Sequence, residues 1–179
     1  QIRALTTSQI AALTTSQVST LETADVAALG TGQIAALNSA QLGALSTDGI
    51  VALTSTQVAA LNSVQVAGLS TTQVQAIESG DLRALTSTAL RALSTAQLEA
   101  LGSDQIGALG TGQVAALTTS QIAGLVSDDL NALTTGQFRA LTTSQIAALT
   151  TSQVSTLETA DVAALGTGQI AALNSVQLG

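Results

Sequence analysis

The sequence has no Cys, His, Lys, Met, Trp, Tyr or Pro, a single aromatic (Phe138) and only 8% charged residues. Each absence removes a class of chemistry. Without Cys or His there is no disulfide, no zinc site of the usual kind, no thiol or imidazole catalysis and no haem ligand. Without Lys there is no Schiff base and no phosphate-binding lysine of the Walker type. Four Arg against eleven acids leave a net charge of −7, with no basic stripe for nucleic acid and no aromatics to stack on bases. No apolar run approaches the roughly 18 residues of a membrane-spanning helix, and no leader peptide is visible in residues 1–179. The chain is therefore expected to be no enzyme. No residue stands out as catalytic, cofactor-binding or metal-ligating, and no cofactor, nucleic-acid partner or membrane insertion is expected.

What is present is a repeat. Leu occupies position 5 and every eighth position through Leu173, except for Ile77. An aliphatic residue or Phe138 occupies position 2 and every eighth position through Leu178. A typical octad is Leu5-Thr6-Thr7-Ser8-Gln9-Ile10-Ala11-Ala12, and its residues name the eight columns used below. A longer period is superimposed. Residues 137–179 repeat residues 1–43 with two changes, Ile2 to Phe138 and Ala40 to Val176, at an offset of seventeen octads. The chain thus reads as one octad-repeat segment, 1–179, of a longer array, with a second copy of the seventeen-octad unit beginning at 137.

One continuous helix does not suit this period. Eight residues advance an α-helix by about 800°, about 80° past two turns, so an apolar stripe would wind round it within a few octads. An unbroken strand does not suit it either. The spacings from Leu5 to Ile10 and from Ile10 to Leu13 are both odd and would put these residues on opposite faces. A β-solenoid with a turn in each octad remains the alternative. Against it stand pairs such as Ala11-Ala12, Ala35-Ala36 and Ala115-Ala116, which favour helix. The expected fold is all-α, a solenoid of short helices with one per octad. Thr6 and Gln9 have the spacing of a capping box, with Leu5 and Ile10 placed as its hydrophobic staple. The Thr6 column holds Thr, Ser, Asn or Gly, the preferred N-caps, except at Glu22, Glu78, Val126 and Glu158. The Thr7 column is Ser or Thr throughout. It is placed to take over as cap where Glu or Val precedes it, or to form a hydroxyl ladder between stacked units.

The other columns sort by size and polarity. The Ala12 column holds only Ala, Gly68, Gly124, Thr20 and Thr156, so something is expected to pack closely on it. The Ala11 column admits Arg3, Gln75, Arg83, Arg91, Glu99, Asn131 and Arg139, and the Ser8 column admits Asp48, Asp104, Asp128 and Val64; both are expected to face water. Two aliphatics and one small residue per octad make too little core for an octad to fold alone, so octads must stack on neighbours. Phe138 is expected in that core. The number of octads per coil is left open.

Candidate chemistry is sparse. Glu22 and Asp25 recur as Glu158 and Asp161, with Glu78 and Asp81 similarly spaced and Asp128 beside Asp129. Such pairs could bind Ca²⁺ if stacked coils brought two together; otherwise they are acids favoured by a helix N-terminus. The Arg residues, including Arg83 and Arg91 one octad apart, suit a solvated face.

Segments such as Thr14-Thr15-Ser16-Gln17-Val18 and Thr118-Thr119-Ser120-Gln121-Ile122 resemble the octapeptide arrays (L-T-T-x-Q-[IV]-x-A) of very long, adhesin-like bacterial surface or secreted proteins, over the whole chain. The opening L-T-x-x-Q-V is also similar to that of TAL-type DNA-binding repeats. Those have a longer period, a base-reading loop and many basic residues, none of which stands here. The resemblance to surface arrays implies a surface-exposed, extended structural role, an extracellular or cell-surface rod, stalk or filament. Residues 1–8, with Ile2 and Leu5, and 170–179, with Ile170, Leu173 and Leu178, keep the full apolar pattern without a polar cap, so self-association into fibres is expected. The alternative is a surface binding module that meets glycan or ice with a regular Thr/Ser/Gln face.

Overall fold

A computed structural model describes residues 2–178. A short 3₁₀ turn, Ile2–Ala4, precedes 22 α-helices of four to six residues, from α1 (Thr7–Ala11) to α22 (Ser175–Leu178), one in each octad. No strand occurs among the described residues, which sets aside the β-solenoid alternative. Helices α1 to α21 each start from an extended N-cap in the Thr6 column, for example Thr6 at φ −71° and ψ 161°. Thr6 Oγ1 accepts from the Gln9 N–H at 3.3 Å, and Gln9 Oε1 accepts from the Thr6 N–H at 2.8 Å. The box expected from the spacing forms.

The helix stops at the following Leu. The Leu13 N–H closes on the Ile10 carbonyl at 3.1 Å, and Leu29 and Leu37 already have extended backbone. No described residue has a positive φ, so the turn needs neither Gly nor Pro and can recur in every octad. This break at each Leu removes the angular drift of a continuous helix: every octad starts a new helix with its apolar pair facing inward.

The chain divides into two compact units, Gln1–Leu93 and Ser94–Gly179. In the first, α1 packs on α4 (Thr31–Ala36), α2 (Thr15–Ser19) on α5 (Ser39–Gly43), and α5 on α8 (Ser63–Ala67). In the second, α14 (Thr111–Ala116) packs on α17 (Thr135–Ala140), and α17 on α20 (Thr159–Ala164). Helix n meets helix n+3 in both, so a coil holds three octads, the number that the sequence left open.

The core is the Ile10 column, with Ile34, Leu42, Val66, Leu90, Ile122 and Phe138 fully enclosed, backed by the Leu5 column. The Ser8 column is exposed at every octad, and the Ala11 column is exposed or half-buried, as expected. The Ala12 column is small because the N-terminal Ser or Thr of the preceding coil lies over it. A Cβ on Gly68 would sit 2.7 Å from Ser39 Cβ, and one on Gly124 would sit 3.4 Å from Thr95 Cγ2.

Candidate functional site: the glutamine column

The residue that joins coil to coil is the Gln9-column glutamine, which capping alone does not explain. From Gln33 onward its side chain is buried. Within each unit its Oε1 faces its own octad while its Nε2 reaches into the preceding coil. Gln65 shows the full set. Oε1 accepts from the Asn62 N–H at 2.9 Å, and Nε2 donates to the Ile34 carbonyl at 2.8 Å and the Leu37 carbonyl at 2.7 Å. Gln57 meets Val26 and Leu29 in the same way. In the second unit Gln145 meets Val114 and Leu117, Gln153 meets Ile122 and Leu125, and Gln169 meets Phe138 and Leu141.

These acceptors lie at the helix break: the carbonyl of the Ile10 column already accepts from the following Leu N–H, as Ile34 does from Leu37 at 3.2 Å, and the Leu37 carbonyl has no backbone partner. One amide therefore closes the N-terminus of its own helix and the C-terminus of the helix one coil earlier. Gln9 and Gln17 make the same box but lie in the first coil of residues 1–179, and both are exposed. The expected core of two aliphatics and one small residue per octad is thus corrected by one buried amide. The expected Thr/Ser/Gln face is corrected as well: Gln turns inward, and the exposed columns are Thr/Ser with the mixed Ser8 column.

A second tie runs the other way. Arg3 Nε donates to the Ala28 carbonyl at 2.9 Å, Asn131 Nδ2 to the Thr156 carbonyl at 2.9 Å and Arg139 Nε to the Ala164 carbonyl at 3.2 Å. Long polar side chains of the Ala11 column thus cap a helix C-terminus one coil later. Arg83 and Arg91 are exposed on successive helices, at the end of α10 (Ser79–Leu82) and in α11 (Ser87–Arg91).

The Thr7 column takes neither expected role. Glu22, Glu78, Val126 and Glu158 remain N-caps without a side-chain cap bond, and the following Ser or Thr is already the first helical residue. The inter-coil hydroxyl bonds are local ones: Ser63 Oγ donates to the Thr88 carbonyl, Ser55 Oγ to Asp81 Oδ1 and Ser103 Oγ to Asp129 Oδ1.

The acids Asp25, Asp81, Asp129 and Asp161 all stand in the Gln9 column. Glu22 with Asp25 and Glu78 with Asp81 lie seven octads apart, which is not a whole number of coils, so stacking does not bring those pairs together. Among the described residues no three acidic side chains gather where a metal ion would sit. Burial pushes the Asp129 carboxyl above the usual range, its bond from Ser103 pulls it back, and Asp128 adds a further lift. Asp161 is raised by burial and by the nearby Glu158.

No curated protein matches the chain. The family model described as the ALTTAQ repeat matches residues 18–55, 74–111, 125–159 and 154–179, well over half of the chain. Within the matched residues, Ala140-Leu141-Thr142-Thr143-Ser144-Gln145 departs from that signature only at Ser144, and the chain belongs to the ALTTAQ repeat family.

Proposed function

We propose that the chain is a non-enzymatic structural segment of a longer array, part of an extended rod, stalk or filament outside the cell or on its surface. The observation that carries this reading is the coil-to-coil joint. The same Leu and Ile/Val packing and the same Gln tie recur from coil to coil, and nothing in them sets a limit to repetition. The extracellular placement rests on the resemblance to bacterial surface arrays.

Self-association is part of the proposal. Val162, Ile170 and Leu178 are 42%, 40% and 65% exposed, whereas Ile34, Leu42 and Leu90 in the same column are fully enclosed. The Gln9 and Gln17 amides are exposed where later glutamines are buried against a preceding coil. In residues 1–179 taken alone, donors and apolar side chains on one such surface match acceptors and apolar side chains on the other, so that copies of the isolated segment continue the coil-to-coil joint head to tail, whereas in a longer array neighbouring coils occupy both.

Analytical ultracentrifugation of residues 1–179 should show mass rising with concentration, and electron microscopy should show fibres. Changing Leu5, Leu173 and Leu178 together to Glu should give a monomer. A monomer at all concentrations for the unchanged chain would overturn the assembly. The reading then favoured is a binding module for glycan or ice, whose support is the exposure of the Ser8 column and of most of the Thr7 column in successive octads.

A further inference from the structure

Sixteen octads have Gln in the Gln9 column and four have Asp; none has Glu. The four Asp octads are also the four whose N-cap is Glu22, Glu78, Val126 or Glu158, so they lack both the capping box and the amide donor. Asp129 and Asp161 nevertheless occupy the buried place of a glutamine, each 4% exposed. By the register of the other octads, the preceding coil offers Asp129 the Leu101 and Leu98 carbonyls and offers Asp161 those of Leu133 and Leu130. A carboxylate in that place brings negative charge to a column of carbonyl oxygens and supplies no donor. A neutral carboxyl removes the charge.

We propose that Asp129 and Asp161 make their joints proton-dependent, so that acidification tightens the contact of α16 (Ser127–Asn131) with α13 (Ser103–Gly107) and of α20 with α17, and neutral pH loosens both. The inference rests on the stacking of coils but not on fibre assembly, because each joint lies within one chain.

The surrounding charges do not supply a compensating partner. Asp128 shares α16 with Asp129, α13 brings Asp104, and α19 (Thr151–Ser155) brings no ionisable group. Ser103 Oγ, at 2.8 Å, is the hydrogen-bond donor to the Asp129 carboxylate. Asp161 has Glu158 beside it, and α17 brings Arg139, whose Nε is engaged by the Ala164 carbonyl. Folding raises both carboxyls. Their contribution to stability is therefore complete below the unfolded value of about 3.9 and is lost as pH rises through the folded value.

The test is urea unfolding of the full chain between pH 4.5 and 7.5, at a concentration where it is monomeric. The midpoint should rise as pH falls. The double variant Asp129→Asn, Asp161→Asn should be less pH-dependent and more stable than the parent at pH 7.5. Asp48→Asn, at an exposed site away from both joints, should keep the parent profile. Carbon NMR of the parent with labelled Asp gives a second readout that needs no variant to fold: two of its seven Asp carboxyls should titrate above the rest. An unchanged pH profile in the buried double variant, or seven carboxyls titrating together, would overturn the proposal.

Discussion

Leu93→Asp should abolish cooperative folding around its coil, while Ala11→Asp should leave the chain nearly unchanged. Leu93 is 3% exposed and follows α11, where its N–H closes on the Leu90 carbonyl at 3.2 Å. An ionised carboxylate in place of an apolar side chain buried in the core costs more than a typical core truncation. Against a total stability of about 5–15 kcal/mol for a domain, a loss above about 5 kcal/mol leaves little folded protein. Ala11 is exposed in the last turn of α1, where an acid meets the unfavourable end of the helix dipole, at about 0.3–1 kcal/mol. Ala115, in the same column, is half-buried and should fall between the two. Circular dichroism against urea reads all three. Similar losses at Leu93 and Ala11 would mean that the inside and outside of the octad are wrongly assigned.

That contrast was legible in the octad itself. The mismatch between eight residues and two helical turns required a break in every repeat. Thr6 with Gln9 placed the helix start, and the residues admitted at Ala11 and Ser8 marked the wet side. Phe138 could be placed in the core because it replaces Ile in an otherwise repeated stretch. The number of octads per coil was not legible, because it depends on which neighbour a helix packs against, and every octad offers the same surface. The joining residue was half legible. A capping box accepts Glu as readily as Gln, yet Glu never stands in the Gln9 column. That absence signals a second demand, an amide N–H₂ aimed at something other than its own octad. The acids followed the same logic unseen: Asp appears in that column only where the cap residue has also changed, so the two losses belong to one altered joint. Whether stacked coils would pair the acids could not be read before the coil was known to hold three octads.

The demand for an amide can be isolated by comparing Gln65→Glu with Gln9→Glu. At both positions the new carboxylate can still accept from the N-cap N–H, so the helix start is kept. At Gln9 nothing else is lost. The side chain is exposed, and a negative charge at the first turn is favoured by up to about 1 kcal/mol, so stability should hold or rise slightly. At Gln65 the donor to Ile34 and Leu37 disappears, the Leu37 carbonyl loses its partner while Ile34 keeps the Leu37 N–H, and a charge is placed 1% exposed between coils. Orphaning the Leu37 carbonyl costs about 1–3 kcal/mol, and the unpaired charge adds to it, so a drop of about 3–5 kcal/mol is expected at pH 7. Lowering the pH should restore part of it, since a protonated Glu regains a donor of nearly the right reach. Urea midpoints at pH 7 and pH 4.5 for both variants decide the matter. Equal effects at Gln9 and Gln65 would reduce the column to helix capping and leave the coils held together by their aliphatic core alone.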